Sequence, residues 1–515
     1  MLLCPKKVCY NSENRLKSSE NTLMIIPFQP SLRPALPAIH GAKDYREFRD
    51  TLIEIDRILT ETRLEDRLIL ERINSLDLSE LSTNRSQYYW RSTRLALRYS
   101  ILRALTQESF RELSSHVADS QIFQWFTHTS FVDGIRPVSK SSAERFEKYF
   151  TAEQIGDLVH ALNQAVADKQ QAQALLYAET ELRFDRIFAD TTCVKADIHF
   201  PIDWVLLRDG ARTLIKAIIL IRQHGLKHRI GSPQKLMREV NKRCIEMTHA
   251  RKKPESKKVR KAVFRQLKKQ VRVIERHGQR YLDLLENQWE KSDWTELEKN
   301  VVAKRMRNVL DQLPQAIKQA HERIVGERRV ANKEKILSLY DSDIDVLVRG
   351  KAGAEVEFGN AFYLAEQDDG LIVDWELMKS KMADSKLTKP SVERIINNYG
   401  PIDRFCADRG FDSPEATEIL DAEQITNSIC PRSVSHFEDR LQNHDFRDDQ
   451  QRRGATEARI AIFKNDYLGR PMRSRGFANR EVHLAWCVLT HNLWKLACMA
   501  RENKEKRKEK QLQAA

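Results

Sequence analysis

Three acids, Asp190, Asp408 and Glu457, stand where one sequence texture gives way to another. Asp190 closes the run RFDRIFAD, Asp408 closes DRFCAD, and Glu457 lies at the start of a late helical stretch. The first two runs are β-branched and aromatic enough to predict strands, and strand ends are where side chains project over a sheet. Carboxylates so placed suit a hard cation, because Mg²⁺ prefers oxygen ligands. Two such ions about 4 Å apart can clamp both the attacking and the leaving oxygen of a phosphodiester. Taken singly, each acid also has a structural explanation: a cap before Thr191 and Thr192, turn chemistry before Arg409 and Gly410, or a complement to a helix N-terminus. Other chemistries lack their motifs. The chain has no GxxxxGK[ST], HExxH, GxSxG or GxGxxG, and its eight cysteines are scattered without a CxxC pair, so neither a zinc site nor a disulfide framework is indicated. His491 and Asn492 read as helix packing or capping residues, and His199 and Asp203, close after Asp190, as structural residues in preference to groups that support the acid.

Positioning these acids requires a sheet. Strand texture appears at Arg183 to Val194, then in KILSLY, DVLVRG, AEVEFGNAFYLAEQ and LIVDWELM, the last two joined by the turn residues Asp368, Asp369 and Gly370. A helical interval at Ser391 to Tyr399 precedes DRFCAD, a short strand TNSICP follows, and a polar loop rich in Arg, Asp and Gln leads to helices at Thr456 to Asp466 and Asn479 to Arg501. Ahead of the first strand the chain reads as all-α. Phe48, Leu52, Ile55, Leu59, Leu64 and Leu68 recur at helical spacing, and Ser141 with Glu144 makes a capping-box signature. Ser120 to Phe150 is compatible with a helix-turn-helix or with an ordinary bundle.

The succession of elements, with acids on the first strand, the fourth strand and the last helix, resembles the RNase H-like fold of DDE transposases. The wording does too. FADTTCVKADIHFPIDW, YDSDIDVLVRGKAGAEVEFGN, FCADRGFDS and TEARIAIFKNDYLGRP leading to LTHNLWKLA are similar to DDE transposases of bacterial insertion sequences. The resemblance covers roughly residues 120–500. It implies a transposase that cleaves DNA at element ends and transfers the 3′ hydroxyl into a target, with Asp190, Asp408 and Glu457 holding two Mg²⁺ ions, for which Mn²⁺ can substitute. A catalytically inactive transposon-derived DNA-binding protein and a metal-dependent nuclease of the same fold are the alternatives. Many such transposases carry a Tyr, Arg, Glu, Lys signature around the last acid. Arg453, Glu457 and Lys464 fit it, at i, i+4 and i+11 on one helical face, where two cations would flank the acid and hold phosphates. Gln450 occupies the Tyr position, and Gly454 interrupts the helical pattern beside Arg453.

The net charge of +14 is concentrated in one place. Arg222 to Arg280 carries 20 Lys and Arg against four Glu, a balance of +16, which leaves the remainder slightly acidic at 14 − 16 = −2. Arg251, Lys252, Lys253, Lys257, Lys258, Arg260, Lys261, Arg265, Lys268, Lys269 and Arg272 are dense enough to neutralise many phosphates of double-stranded DNA. The expected layout is an extended arm over 1–40, a helical DNA-end-binding or dimerisation region over 41–180, and the first core strand within 181–200. A basic helical insertion with a break at Pro314 spans 201–334, the remaining core 335–500, and a charged tail 501–515. Synapsis of two element ends implies a homodimer. With no apolar run near the ~20 residues of a bilayer crossing, the expected location is cytoplasmic, at the nucleoid.

Overall fold

The computed structural model describes residues 33, 35–74, 83–131, 133–250, 255–351 and 354–514. Two short strands, β1 (Ser130–Phe131) and β2 (Gly134–Ile135), form a separate hairpin. Six others build one mixed sheet: β3 (Arg186–Lys195), β4 (Asp345–Lys351), β5 (Ala354–Gln367), β6 (Ile372–Met378), β7 (Arg404–Cys406) and β8 (Thr426–Asn427). Strand β3 is central. It pairs antiparallel with β5 on one side and parallel with β7 on the other, and β8 continues parallel beyond β7. Both β4 and β6 pair antiparallel with β5. The β5–β6 hairpin turns at Gly370, whose φ of +91° suits glycine and whose amide donates to the Gln367 carbonyl at 2.9 Å.

Strand β3 does not end at Asp190, as its texture suggested, but runs to Lys195, with Thr191 to Lys195 in register with Tyr363 to Gly359 of β5. The β-branched Thr191, Thr192 and Val194 favour this continuation. The strands approach so closely that a Cβ on Gly359 would stand 1.9 Å from the Val194 carbonyl oxygen.

KILSLY forms no strand. Its Ile336 amide donates to the Gln319 side chain at 2.7 Å, and the Gln319 amide donates back to the Ile336 carbonyl at 3.2 Å, so a glutamine replaces a neighbouring strand. The segment that read as a polar loop before Thr456 is helical from His444 to Ile462, with Gly454 inside the helix. The terminal helix, Phe477–Ala514, extends through the charged tail. Pro314 does not break its helix, Glu296–Ile324. Buried residues on either side of it, Val309 and Leu313 before and Ile317 and Ala320 after, hold the helix in place against a local penalty of ~3 kcal/mol.

The N-terminal helices pack into the same apolar core as the sheet and the terminal helix. Helices Lys43–Glu61 and Leu64–Asn74 bury Leu52, Ile55, Leu59, Leu64 and Leu68 of the periodic set, with Phe48 half-buried against the same core. Between Ser120 and Phe150, helices Gln121–Thr127 and Lys140–Glu147 are separated by the β1–β2 hairpin, not by the tight turn of a helix-turn-helix. The N-cap of the second is Ser139, which accepts from the Ser142 amide, so Ser141 and Glu144 form no capping box. Most of the expected arm, 1–32 and 34, lies outside the described residues, while Arg33 is bonded to Asp56 through two 2.9 Å contacts.

After β3 the chain forms four helices, Asp203–Gln223, Pro233–His249, Ser256–Gln288 and Glu296–Ile324, around a second core. In the third helix Phe264, Leu267, Val271, Ile274, Tyr281 and Leu285 make one buried stripe at spacings of three, four and seven, which leaves the intervening Lys and Arg outward.

Candidate active site

The site grows from the register of the parallel strands. Arg186 pairs with Arg404 and Phe188 with Cys406, a constant offset of 404 − 186 = 218, which brings Asp408 level with Asp190 just past the last paired residue. Adjacent strands lie about 4.8 Å apart. The alternation of β3 puts Phe188, Asp190 and Thr192 on one face, and helix His444–Ile462 packs across that face. Two buried carboxylates fix the helix. Asp449 accepts from Arg186 at 2.7 Å and Ser428 at 2.6 Å. Glu366 of β5 accepts from Arg452 at 3.1 Å, Thr456 at 2.7 Å and Arg459 at 3.0 Å. Gln450, at the expected Tyr position, donates to the Ser428 carbonyl at 2.7 Å and so ties the helix to the strand end.

Asp190, Asp408 and Glu457 consequently line one cleft of ≈ 570 Å³ with Lys464. Asp384, Glu357, Lys381 and Arg470 line it too, and none of these four was singled out from the sequence. Asp384 comes from a single 3₁₀ turn, where no periodicity marks it, and accepts from the Thr191 hydroxyl at 3.1 Å. Only its lone acidic position between β6 and the following helix could have drawn notice.

Burial, helped by the charges of Asp408 and Glu457 and opposed by the Thr191 amide and Arg453, pushes the Asp190 carboxyl up to about 6. The potential donors that line the cleft are mostly oxygen: the carboxylates of Asp190, Asp408, Asp384, Glu457 and Glu357 and the hydroxyls of Thr191 and Thr192, beside the buried Cys193. Such a set fits a hard divalent cation. Its oxygens are presently engaged within the protein: Asp190 Oδ1 accepts from the Thr191 amide at 2.7 Å, Asp408 Oδ1 from the Gly410 amide at 2.7 Å, and Glu457 Oε1 from Arg453 at 2.8 Å. In this conformation no three Asp, Glu, His or Cys side chains among the described residues are gathered closely enough to hold one metal ion. Closing the acids around a cation would require Glu457, whose side chain is 58% exposed, to leave Arg453.

The two signature cations behave differently. Arg453 bonds Gln450 at 3.2 Å as well as Glu457. Lys464 is not on the same regular helix face: the backbone widens into a π-type turn over Phe463–Leu468, and its ammonium donates to Thr192 at 2.9 Å, buried at the cleft wall. Of the basic insertion, Arg251, Lys252 and Lys253 lie outside the described residues. Lys257 and Lys261 pair with Glu327 at 3.3 and 2.8 Å, Lys258 stands 3.7 Å from Glu255, and Arg260 lies over the Trp204 ring at 5.4 Å. Farther along the helix Arg265, Lys268, Lys269, Arg272 and Arg276, with Glu275, line a groove of ≈ 520 Å³.

No protein-family model, curated protein or solved structure matches this chain. Residues outside the cleft have structural duties. Asn492 bonds the Ile372 amide and carbonyl at 3.0 and 2.8 Å, and Asp203 accepts from Gln319 and Arg323 at 2.9 and 3.0 Å. Among the described residues no helix is long and apolar enough to cross a membrane.

Proposed function

We propose that this chain is a DDE-type DNA transposase with an RNase H-like catalytic core. The observation that carries the reading is that Asp190 on β3, Asp408 just past the end of the adjacent parallel β7, and Glu457 on the helix across them line one cleft. The central first strand, an antiparallel β3–β5–β6 meander on one side and parallel strands on the other, supports the fold assignment.

Asp190, Asp408 and Glu457 would hold two Mg²⁺ or Mn²⁺ ions, which when bound supply Lewis-acid stabilisation of the reacting phosphodiester oxygens. The chain's own part is positioning and electrostatics. Asp449 and Glu366 hold the helix that presents Glu457, and Arg453 keeps Glu457 paired until the acid is needed at the cleft. Lys464, fixed by Thr192, and the exposed Lys381 and Arg470 offer positive charge to the strand's phosphates. Duplex DNA is held by the cationic groove of Arg265, Lys268, Lys269, Arg272 and Arg276, away from the cleft. In this reading the protein works at the nucleoid as a homodimer that brings two element ends together.

The ion pair that holds Glu457 on Arg453 favours one alternative, a DNA-binding derivative without chemistry. The test is incubation with Mg²⁺ and DNA carrying the sequences that flank its gene. Cleavage followed by joining of a 3′ hydroxyl to a second DNA is the expected result. Cleavage without joining would make it a nuclease, and binding alone would make it the inactive derivative.

A further inference from the structure

Beside the acidic cleft lies a second cavity, of ≈ 640 Å³, and Arg470 lines both. Arg473 and Arg475 line the second cavity as well. All three belong to one connecting segment between the π-type turn and the terminal helix, and that segment is held at both ends. Met472, fully buried, donates its amide to the Lys195 carbonyl at 2.9 Å, at the end of the strand that carries Asp190. The Gly476 amide donates to Asp341 at 3.1 Å, and Asp341 is itself paired with the buried Arg480. The three guanidinium groups are therefore carried by a backbone fixed relative to the cleft.

Their charge is poorly satisfied inside the protein. Arg470 forms no ion pair among the described residues. Arg473 and Arg475, 62% and 65% exposed, have only distant ion-pair partners among the described residues, Glu112 at 3.7 Å and Asp197 at 3.6 Å. Exposed pairs of that length contribute little to stability and exchange readily for a stronger anion. Guanidinium groups match phosphate oxygens in a two-pronged geometry that lysine lacks. A cavity of this size takes a ligand of small-molecule dimensions, a nucleotide or two of one strand, and not a duplex.

The geometry points to a phosphodiester-binding subsite, formed by Arg470, Arg473 and Arg475, that receives a single DNA strand as it leaves the acidic cleft. This inference rests on the reading of that cleft as the place where a phosphodiester reacts. The duplex groove on the helical unit and this subsite would then have separate duties: one holds the double helix, the other the strand end.

The experiment compares two fluorescent DNAs, a blunt duplex and the same duplex with a single-stranded extension, bound in Ca²⁺ over a range of salt. The full-length parent is set against the triple variant Arg470→Ala, Arg473→Ala, Arg475→Ala. The parent is expected to bind the extended DNA more tightly, and the variant to lose that preference. Its log affinity against log salt slope should fall by about 2, at ~0.7 per single-strand phosphate contact. The lysine triple should recover part of the loss, and Asp197→Asn, which releases Arg475, should strengthen binding of the extended DNA. An unchanged slope, or an equal loss on the blunt duplex, overturns the subsite. Cleavage and joining by the parent are scored separately. A variant that loses extension binding while the parent cuts nothing keeps the subsite and removes the transposase. A parent that cuts and joins while the variant binds like it does the reverse.

Discussion

Asp190 carries the electrostatic cost of the cleft. Its carboxyl is partly buried and stands near two other acids, so its pKa of about 6 lies above the ordinary 3.8. A raised folded-state pKa means that the folded protein holds this proton more tightly than the unfolded chain. The resulting stability is fully present below pH ~4 and is lost as pH rises through about 6. Asp190→Asn keeps an acceptor for the Thr191 amide and removes the charge. It should therefore raise stability at pH 7.5 without Mg²⁺ by on the order of 3 kcal/mol, and the gain should vanish toward pH 4. Thermal melts across that range check the sign, and Mg²⁺ should stabilise the parent more than the variant. Gly410 poses a steric question in the same place. A Cβ there would meet Asp384 Oδ2 at 2.7 Å and Asp408 Oδ1 at 2.9 Å, so Gly410→Ala should displace these two carboxylates. The expected outcome is Mn²⁺ affinity reduced tenfold or more, read by paramagnetic relaxation, with little change in melting temperature.

Helix His444–Ile462 shows why part of the site was illegible in the sequence. It packs through Asp449, Arg452, Thr456 and Arg459, whose partners are Arg186, Ser428 and Glu366, and hydrophobic periodicity cannot register a helix that docks by buried ions. The same stretch therefore read as a polar loop. The strands were legible because Ile187, Phe188, Ala189, Phe405 and Cys406 are buried on a sheet covered on both faces. KILSLY was misread because Leu337 and Leu339 are as buried as strand residues, though Leu339 packs in the helical core and the backbone bonds to Gln319. Asp190 and Asp408 were legible as acids on apolar runs, whereas Asp384 and Arg470 reach the cleft through a turn and a connecting segment that carry no periodic signal. The ionic docking makes its own prediction. Glu366→Gln leaves Arg452 and Arg459 without their buried counter-charge, and should destabilise the protein by about 3 kcal/mol, measured by urea denaturation. Strand joining should fall as well, because Glu457 loses its support.

At the scale of the whole molecule, two cores divide the work. The sheet, the N-terminal helices and the terminal helix share one core and present the acids. The four helices between β3 and β4 have another, and carry the exposed basic groove. Arg265, Lys268, Lys269 and Arg272 form no salt bridge among the described residues, so they repel one another unless a polyanion is bound. Replacing Lys268, Lys269 and Arg272 with Ala should weaken duplex binding at every sequence and lower the salt slope by about 3, at ~0.9 per phosphate contact. Anisotropy titrations read this directly, and an unchanged slope would reduce the unit to a spacer. The division also sets the most direct test of the central claim, that the acids perform chemistry on the DNA which the basic surfaces hold. That test is a paired measurement of DNA affinity and of cleavage and 3′-end joining, for the parent and for Asp408→Asn, on DNA carrying the gene's flanking sequences with Mg²⁺. Asn keeps the acceptor for the Gly410 amide and removes one negative charge. Affinity should hold or rise slightly, since losing an acid lessens repulsion of phosphate. Cleavage and joining should fall by at least a hundredfold, as each ~1.4 kcal/mol of lost transition-state stabilisation is tenfold in rate. An Asp408→Asn protein that cuts and joins DNA as fast as the parent would contradict the account.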